Sequence, residues 1–179
     1  MIYIDLGCHN GDTIKDFYEG KFGGISPIGV ASVGVDPLTK YQEKWAGLSK
    51  LYGTVFIQKA AWIFDGGVEF SENDYDYKSS VMKDKWVYGG KLCKIHKVSC
   101  FDFSDYLKKL DDEAVIRMDI EGAEYHILGR MIKDGTISKV KYLEVEWHSH
   151  KMNGEWRKIG EEIEKKMKDL KVNFKILKP

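Results

Sequence analysis

The 179-residue chain has no surplus of charge, little cysteine and no long apolar run. Lysine plus arginine and aspartate plus glutamate each number 28, so no global field draws the protein toward nucleic acid or an anionic membrane. The three cysteines, Cys8, Cys93 and Cys100, lack the C-x-x-C spacing of a zinc site and are expected to be reduced thiols in a cytoplasmic protein. No apolar stretch approaches the ~20 residues of a membrane span, and Met1 leads into Ile2-Tyr3-Ile4 without a signal-like segment. A soluble chain with no membrane partner is the expectation. Repeats, linkers and low-complexity segments are missing too, and the length suits one domain over residues 1–179. Neither G-x-G-x-x-G nor Gly-Lys-Ser/Thr occurs, which disfavours a dinucleotide pyrophosphate and a P-loop phosphate.

What is present alternates short apolar runs with longer amphipathic stretches, the pattern of a mostly parallel sheet covered by helices. Strands are predicted at residues 2–6, 31–35, 54–60, 95–100, 114–118, 141–147 and 172–177, and helices at 12–18, 38–48, 104–110, 123–132 and 155–170. Asp12 or Thr13 is expected to cap the first helix through a side-chain oxygen. Asp65-Gly66-Gly67, within residues 64–70, carries a hairpin turn signal. Residues 71–92 have no clear period; Tyr75, Tyr77, Trp86 and Tyr88 alternate there with charges such as Asp74 and Asp76, as a substrate loop or as simple packing. Along the last helix Glu161–Lys165, Glu162–Lys166 and Glu164–Lys168 stand four apart in the favourable order, which marks a solvated face.

Three strand ends carry residues suited to chemistry. The first is Asp5-Leu6-Gly7-Cys8-His9-Asn10-Gly11, between a strand and a helix. In an open α/β sheet the first such turn lies closest to the ligand crevice, and Gly7 and Gly11 allow tight turning and close approach. An acid at that strand end suits an amino group better than a phosphate. The second is Asp36, followed by Pro37, where a carboxylate can accept both hydroxyls of a ribose or simply cap the next helix. The third is Asp119-Ile120-Glu121-Gly122-Ala123-Glu124: three carboxylates so close are costly unless a cation, an amine or catalysis uses them. Glu124 is expected in the first turn of the following helix, complementing its dipole.

These runs resemble a known family. Asp5 to Asp12 is similar to the D-x-G-A-N-x-G turn of FkbM-type methyltransferases, and Val35-Asp36-Pro37 to their F-E-P. Met118-Asp119-Ile120-Glu121-Gly122-Ala123-Glu124 resembles their I-D-V-E-G-A-E, and Tyr142 to His148 their late E-x-H strand. Ser79-Ser80-Val81 corresponds to a serine-rich element of the same family. The resemblance covers residues 2–148. His9 stands where the family usually has Asn, and Asp36 where Glu is commoner, which keeps the carboxylate one methylene shorter. The family often carries more chain ahead of the first strand, which leaves the substrate side here either open or completed by a second subunit in a homo-oligomer.

The resemblance implies a Rossmann-like class I methyltransferase sandwich, a mostly parallel sheet with helices on both faces. It also implies methyl transfer from S-adenosylmethionine to a hydroxyl of a sugar or glycan-bearing acceptor. Asp5, Gly7, Asn10 and Gly11 would meet the methionine end, Asp36 the ribose, Ala61 and Trp62 the adenine, and Asp119 the cofactor amino group. Such a displacement gains most from positioning and is helped by a base within reach of the hydroxyl. Glu121, His148 and Glu146 are the catalytic candidates; a histidine titrates near neutrality without tuning, although His148 in the polar run His148-Ser149-His150-Lys151 also reads as a surface residue. No residue is assigned outright as a metal ligand, yet a divalent metal bridging Asp119 and Glu146 or His148 would suit such oxygen-rich donors. Two other readings remain: a nucleotide-dependent oxidoreductase, and a module that binds S-adenosylmethionine or a nucleotide without turnover.

Overall fold

The structure is a computed structural model and describes residues 1–22, 24–73, 79–82, 94–152 and 154–177. Its strands in chain order are β1 (Ile2–Leu6), β2 (Ala31–Val35), β3 (Val55–Ile57), β4 (Ala60–Trp62), β5 (Gly66–Glu72), β6 (Lys94–Asp102), β7 (Ala114–Met118), β8 (Val140–Glu146) and β9 (Phe174–Leu177). The helices are α1 (Asp12–Tyr18), α2 (Gln42–Tyr52), α3 (Phe103–Lys108), α4 (Glu124–Asp134) and α5 (Glu155–Asp169).

Strand β1 is apolar at four of five positions and lies at the centre of a six-stranded parallel sheet, ordered β3-β2-β1-β7-β8-β9. Side chains alternate across it, as the period of two requires. Tyr3 and Val115 face a layer with Ile14 and Phe17 of α1 and Trp45 of α2. Ile4, Leu6, Ile116 and Met118 face the other layer, with Leu107 of α3, Leu128 and Met131 of α4 and Ile163 of α5. Helices therefore cover both faces, and the α/β class expected from the sequence holds. The second layer follows helical spacing: Leu128 and Met131 on α4, and Ile163 and Met167 on α5, recur three or four residues apart and are buried.

Leu6 pairs with Val35 of β2 on one side and Met118 of β7 on the other, so three strand ends finish level with one another. The chain builds outward from β1 to β3 and then returns to the opposite side at β7. That reversal is a topological switch point, where open α/β sheets leave a crevice outside the carboxyl ends of the strands.

Several local expectations are corrected. The predicted third strand splits, because β3 pairs with β2 in the main sheet while β4 joins β6 and β5 in a second, three-stranded sheet. Asp65-Gly66-Gly67 makes no hairpin: β4 and β5 flank β6 on opposite sides, and Asp65 instead accepts from the Asp102 amide at 3.1 Å. Neither Asp12 nor Thr13 caps α1; the cap is Gly11, with φ 87° and no side-chain bond, since the Thr13 hydroxyl turns to Asp5. The helix predicted from residue 38 starts at Gln42, after one 3-10 turn over Thr39–Tyr41. Cys8 and Cys100 are free and buried. Cys93 and the loop residues Asp74, Tyr75, Asp76, Tyr77, Trp86 and Tyr88 lie outside the described residues. Among the described residues, no helix is long and apolar enough to cross a membrane.

Candidate active site

A cavity of about 540 Å³ opens at the switch point. Gly7 and Asn10 reach it from the β1 turn, Asp36 from the end of β2, Ala61 from β4, Asp119 and Glu121 from the β7 turn and Glu146 from the end of β8.

The β1 turn is shaped by backbone contact. Gly7 has φ +81°, and a Cβ on it would stand 1.9 Å from the Asp119 carbonyl oxygen, so no other residue fits where the β1 and β7 turns cross. Gly11 does not line the cavity; a Cβ there would meet Leu48 at 2.3 Å. Gly11 thus serves packing within the protein, whereas Gly7 both permits the crossing of the two turns and lines the cavity. Asn10 accepts from the Asp12 amide at 3.0 Å, which holds the turn.

Asp5 is not among the residues lining the cavity; it is 1% exposed and receives on Oδ2 the hydroxyl of Thr13, which does line it. Its Oδ1 is buried without a hydrogen-bond partner. Burial lifts its pKa from 3.8 to about 6, against the opposite pull of Arg117. Asp36 lines the cavity and already accepts from the Leu38 amide at 2.9 Å and the His9 amide at 3.0 Å. One carboxylate therefore begins the next segment and ties the β1 turn to β2, with a further lone pair on each oxygen. Burial raises its pKa, and the two amides counter that. The His9 ring, also at the cavity wall, is engaged by the Tyr41 hydroxyl.

Around the β7 turn the crowded carboxylates have separate partners. Glu124, the first residue of α4, is fully buried and accepts from the Ile120 amide at 2.9 Å and the Gly122 amide at 2.7 Å. Its Oε1 also lies 2.9 Å from His148 Nδ1. It does more than complement the helix dipole: it closes the turn and fixes the histidine. Asp119 takes Arg117 on Oδ2 at 3.2 Å, and Lys151 holds both Glu121 oxygens at 3.0 Å. Glu121 has φ 57°, an uncommon conformation for a side-chain-bearing residue that often marks a functional turn.

His148 is not a surface residue, as its exposure is zero. Its Nε2 stands 3.5 Å from Glu146, 3.6 Å from Glu121 and 3.7 Å from Asp119. Burial alone would lower its pKa, but the Glu124 hydrogen bond and the surrounding carboxylates raise it. Burial also raises Asp119 and Glu146, each opposed by His148. Trp62 is not among the residues lining the cavity; its ring packs beside Phe64 and His126.

Sequence reasoning passed over Arg117, Lys59 and Lys151, all at the cavity wall. Lys151 lay in a polar run that gave no signal, since only the short 3-10 turn Ser149–Lys151 carries it back to Glu121. The serine-rich element has a visible part in the site: Ser80 donates to the Glu121 carbonyl at 2.7 Å and so anchors its segment to the β7 turn.

Comparison with curated proteins and with solved structures returned no match. A family model does match, described as the methyltransferase FkbM domain, over residues 6–174. That span runs from the last residue of β1 into β9 and takes in every cavity-lining residue named above. By this match the chain belongs to the FkbM methyltransferase family and is a methyltransferase, an activity that in general implies S-adenosylmethionine as donor.

Proposed function

We propose that the protein transfers the methyl group of S-adenosylmethionine to a hydroxyl of a sugar or glycan-bearing acceptor. The observation that carries the donor half is the cavity at the switch point, with Asp36 and Asp119 on its wall and the buried Asp5 bonded to the wall residue Thr13. Carboxylates from three neighbouring strand ends make a floor of negative potential, which suits a ligand bearing a sulfonium and an ammonium. Asp36 accepts the ribose hydroxyls with its remaining lone pairs. Ala60, Ala61, Phe70 and Val81 supply apolar surface for the adenine.

The acceptor enters on the side of Glu121 and Glu146. Its oxygen attacks the methyl carbon in line with the carbon–sulfur bond, whose electron pair stays on sulfur. The hydroxyl proton passes to Glu146 or Glu121. His148 is too buried to receive a bulky acceptor directly and acts from behind these carboxylates.

Calorimetric titration with S-adenosylhomocysteine tests the donor half. Micromolar binding that weakens at least tenfold in Asp36→Ala supports it, whereas folded protein that takes up none of the ligand rejects it. Methyl uptake from labelled donor across nucleotide sugars and glycans tests the acceptor half.

A further inference from the structure

The strand tips of β7 and β8 bring Asp119, Glu146 and His148 together, with one donor atom from each within 4.8 Å of the others. An acidic cluster alone would mean little. The buried histidine is the independent sign. His148 has no exposure, its Nδ1 side is fixed by Glu124, and its Nε2 is buried, aimed at the carboxylates, and lacks a hydrogen-bond partner.

We infer that Asp119, Glu146 and His148 form a divalent cation site on the acceptor side of the cavity. Nε2 stands 3.7 Å from Asp119 Oδ1 and 3.5 Å from Glu146 Oε1. Those gaps are too long for hydrogen bonds. Ligands about 2.1 Å from a cation stand roughly 3.0–3.6 Å apart, so the 3.5 Å gap fits a shared ion as it stands. The 3.7 Å gap, like the Asp119–Glu146 separation of up to 4.8 Å, closes by a small carboxylate movement.

The surroundings have the form of a metal-site outer shell. Glu124 accepts from Nδ1–H, which leaves the Nε2 lone pair to the ion, and is itself pinned by two backbone amides. Arg117 occupies Asp119 Oδ2 and so turns Oδ1 toward the histidine. Glu121, although 3.6 Å from Nε2, has Lys151 on both oxygens and balances charge beside the site. Two carboxylates and one imidazole suit manganese better than calcium or copper. Asp119 and Glu146 face the cavity, so the remaining coordination positions open toward the acceptor.

The catalytic use of the ion rests on the methyltransferase reading above; its binding does not. An acceptor hydroxyl resting against a divalent cation becomes more acidic and is held in one orientation. Its proton goes to Glu121, its oxygen forms the new bond to the methyl carbon, and the bond to sulfur breaks with its electron pair left on sulfur. An acceptor offering a second oxygen on the adjacent carbon would fill another open position, which favours vicinal diols.

The test is titration of the metal-free full chain with MnCl2 alone, following free Mn2+ by electron paramagnetic resonance. One ion per chain is expected, with affinity falling at least tenfold in Glu146→Gln and in Asp119→Asn. Circular dichroism checks that both variants remain folded. No uptake by folded protein overturns the inference, as does uptake that neither substitution weakens. S-adenosylhomocysteine titration of the same metal-free sample separates the two readings, because donor binding without Mn2+ uptake removes only the cation site.

Discussion

Asp5 occupies a strand whose neighbours Ile4 and Leu6 have no exposure, and its ionised form is held there at a cost. Its pKa is 3.8 in the unfolded chain and about 6 in the fold, so between those values the folded protein binds a proton that the unfolded chain does not. Stability from this group is complete below about pH 3, falls as pH rises through the folded pKa and levels off near pH 7, a loss of roughly 3 kcal/mol in all. Asp5→Asn keeps an acceptor for the Thr13 hydroxyl and removes the titration. Relative to the native protein, the variant should gain roughly 2–2.5 kcal/mol between pH 4 and pH 7.5 in urea denaturation. Parallel stability profiles for the two proteins would contradict the burial argument.

Among the elements, the turn from β7 into α4 depends most on one side chain. Glu124, itself fully buried, accepts two amide hydrogens and the hydrogen of the His148 ring. Glu124→Ala orphans those donors and should cost roughly 3–5 kcal/mol. The same change releases His148 and the Ile120–Gly122 backbone, so affinity for S-adenosylhomocysteine should fall with stability. A loss below about 1 kcal/mol in denaturation would mean that other contacts hold the turn. The sequence showed Glu124 as a carboxylate at a helix start. It could not show the reach back to residues 120 and 122, because the fold of the intervening turn decides that distance.

For the whole molecule, ligand binding and stability are linked through a cavity that four strand ends and the second sheet build together. S-adenosylhomocysteine at a hundred times its dissociation constant should stabilise the native state by about 2.7 kcal/mol. For a chain of this length that raises Tm by roughly 5–10 °C, readable by differential scanning calorimetry. Asp36→Ala, with affinity at least tenfold weaker, should lose about half of that shift or more at the same concentration. An equal shift in both proteins would place the ligand elsewhere.

The order of strands and helices was legible because burial on both faces of a parallel sheet writes apolar runs into the chain, as in residues 2–6 and 114–118. The carboxylates at strand ends were legible because Asp5, Asp36 and Asp119 have no apolar reason to follow such runs. Tertiary structure alone decided their partners: which acids line the cavity and which is buried away from it, that Trp62 faces Phe64 and His126, and that His148 is buried beside Glu146. It also split the third predicted strand between two sheets, a choice made by pairing with β2 and β6. Periodicity is a property of neighbours along the chain. Contacts such as His148 with Glu124, 24 residues apart, exist only once the sheet has set the distance between them.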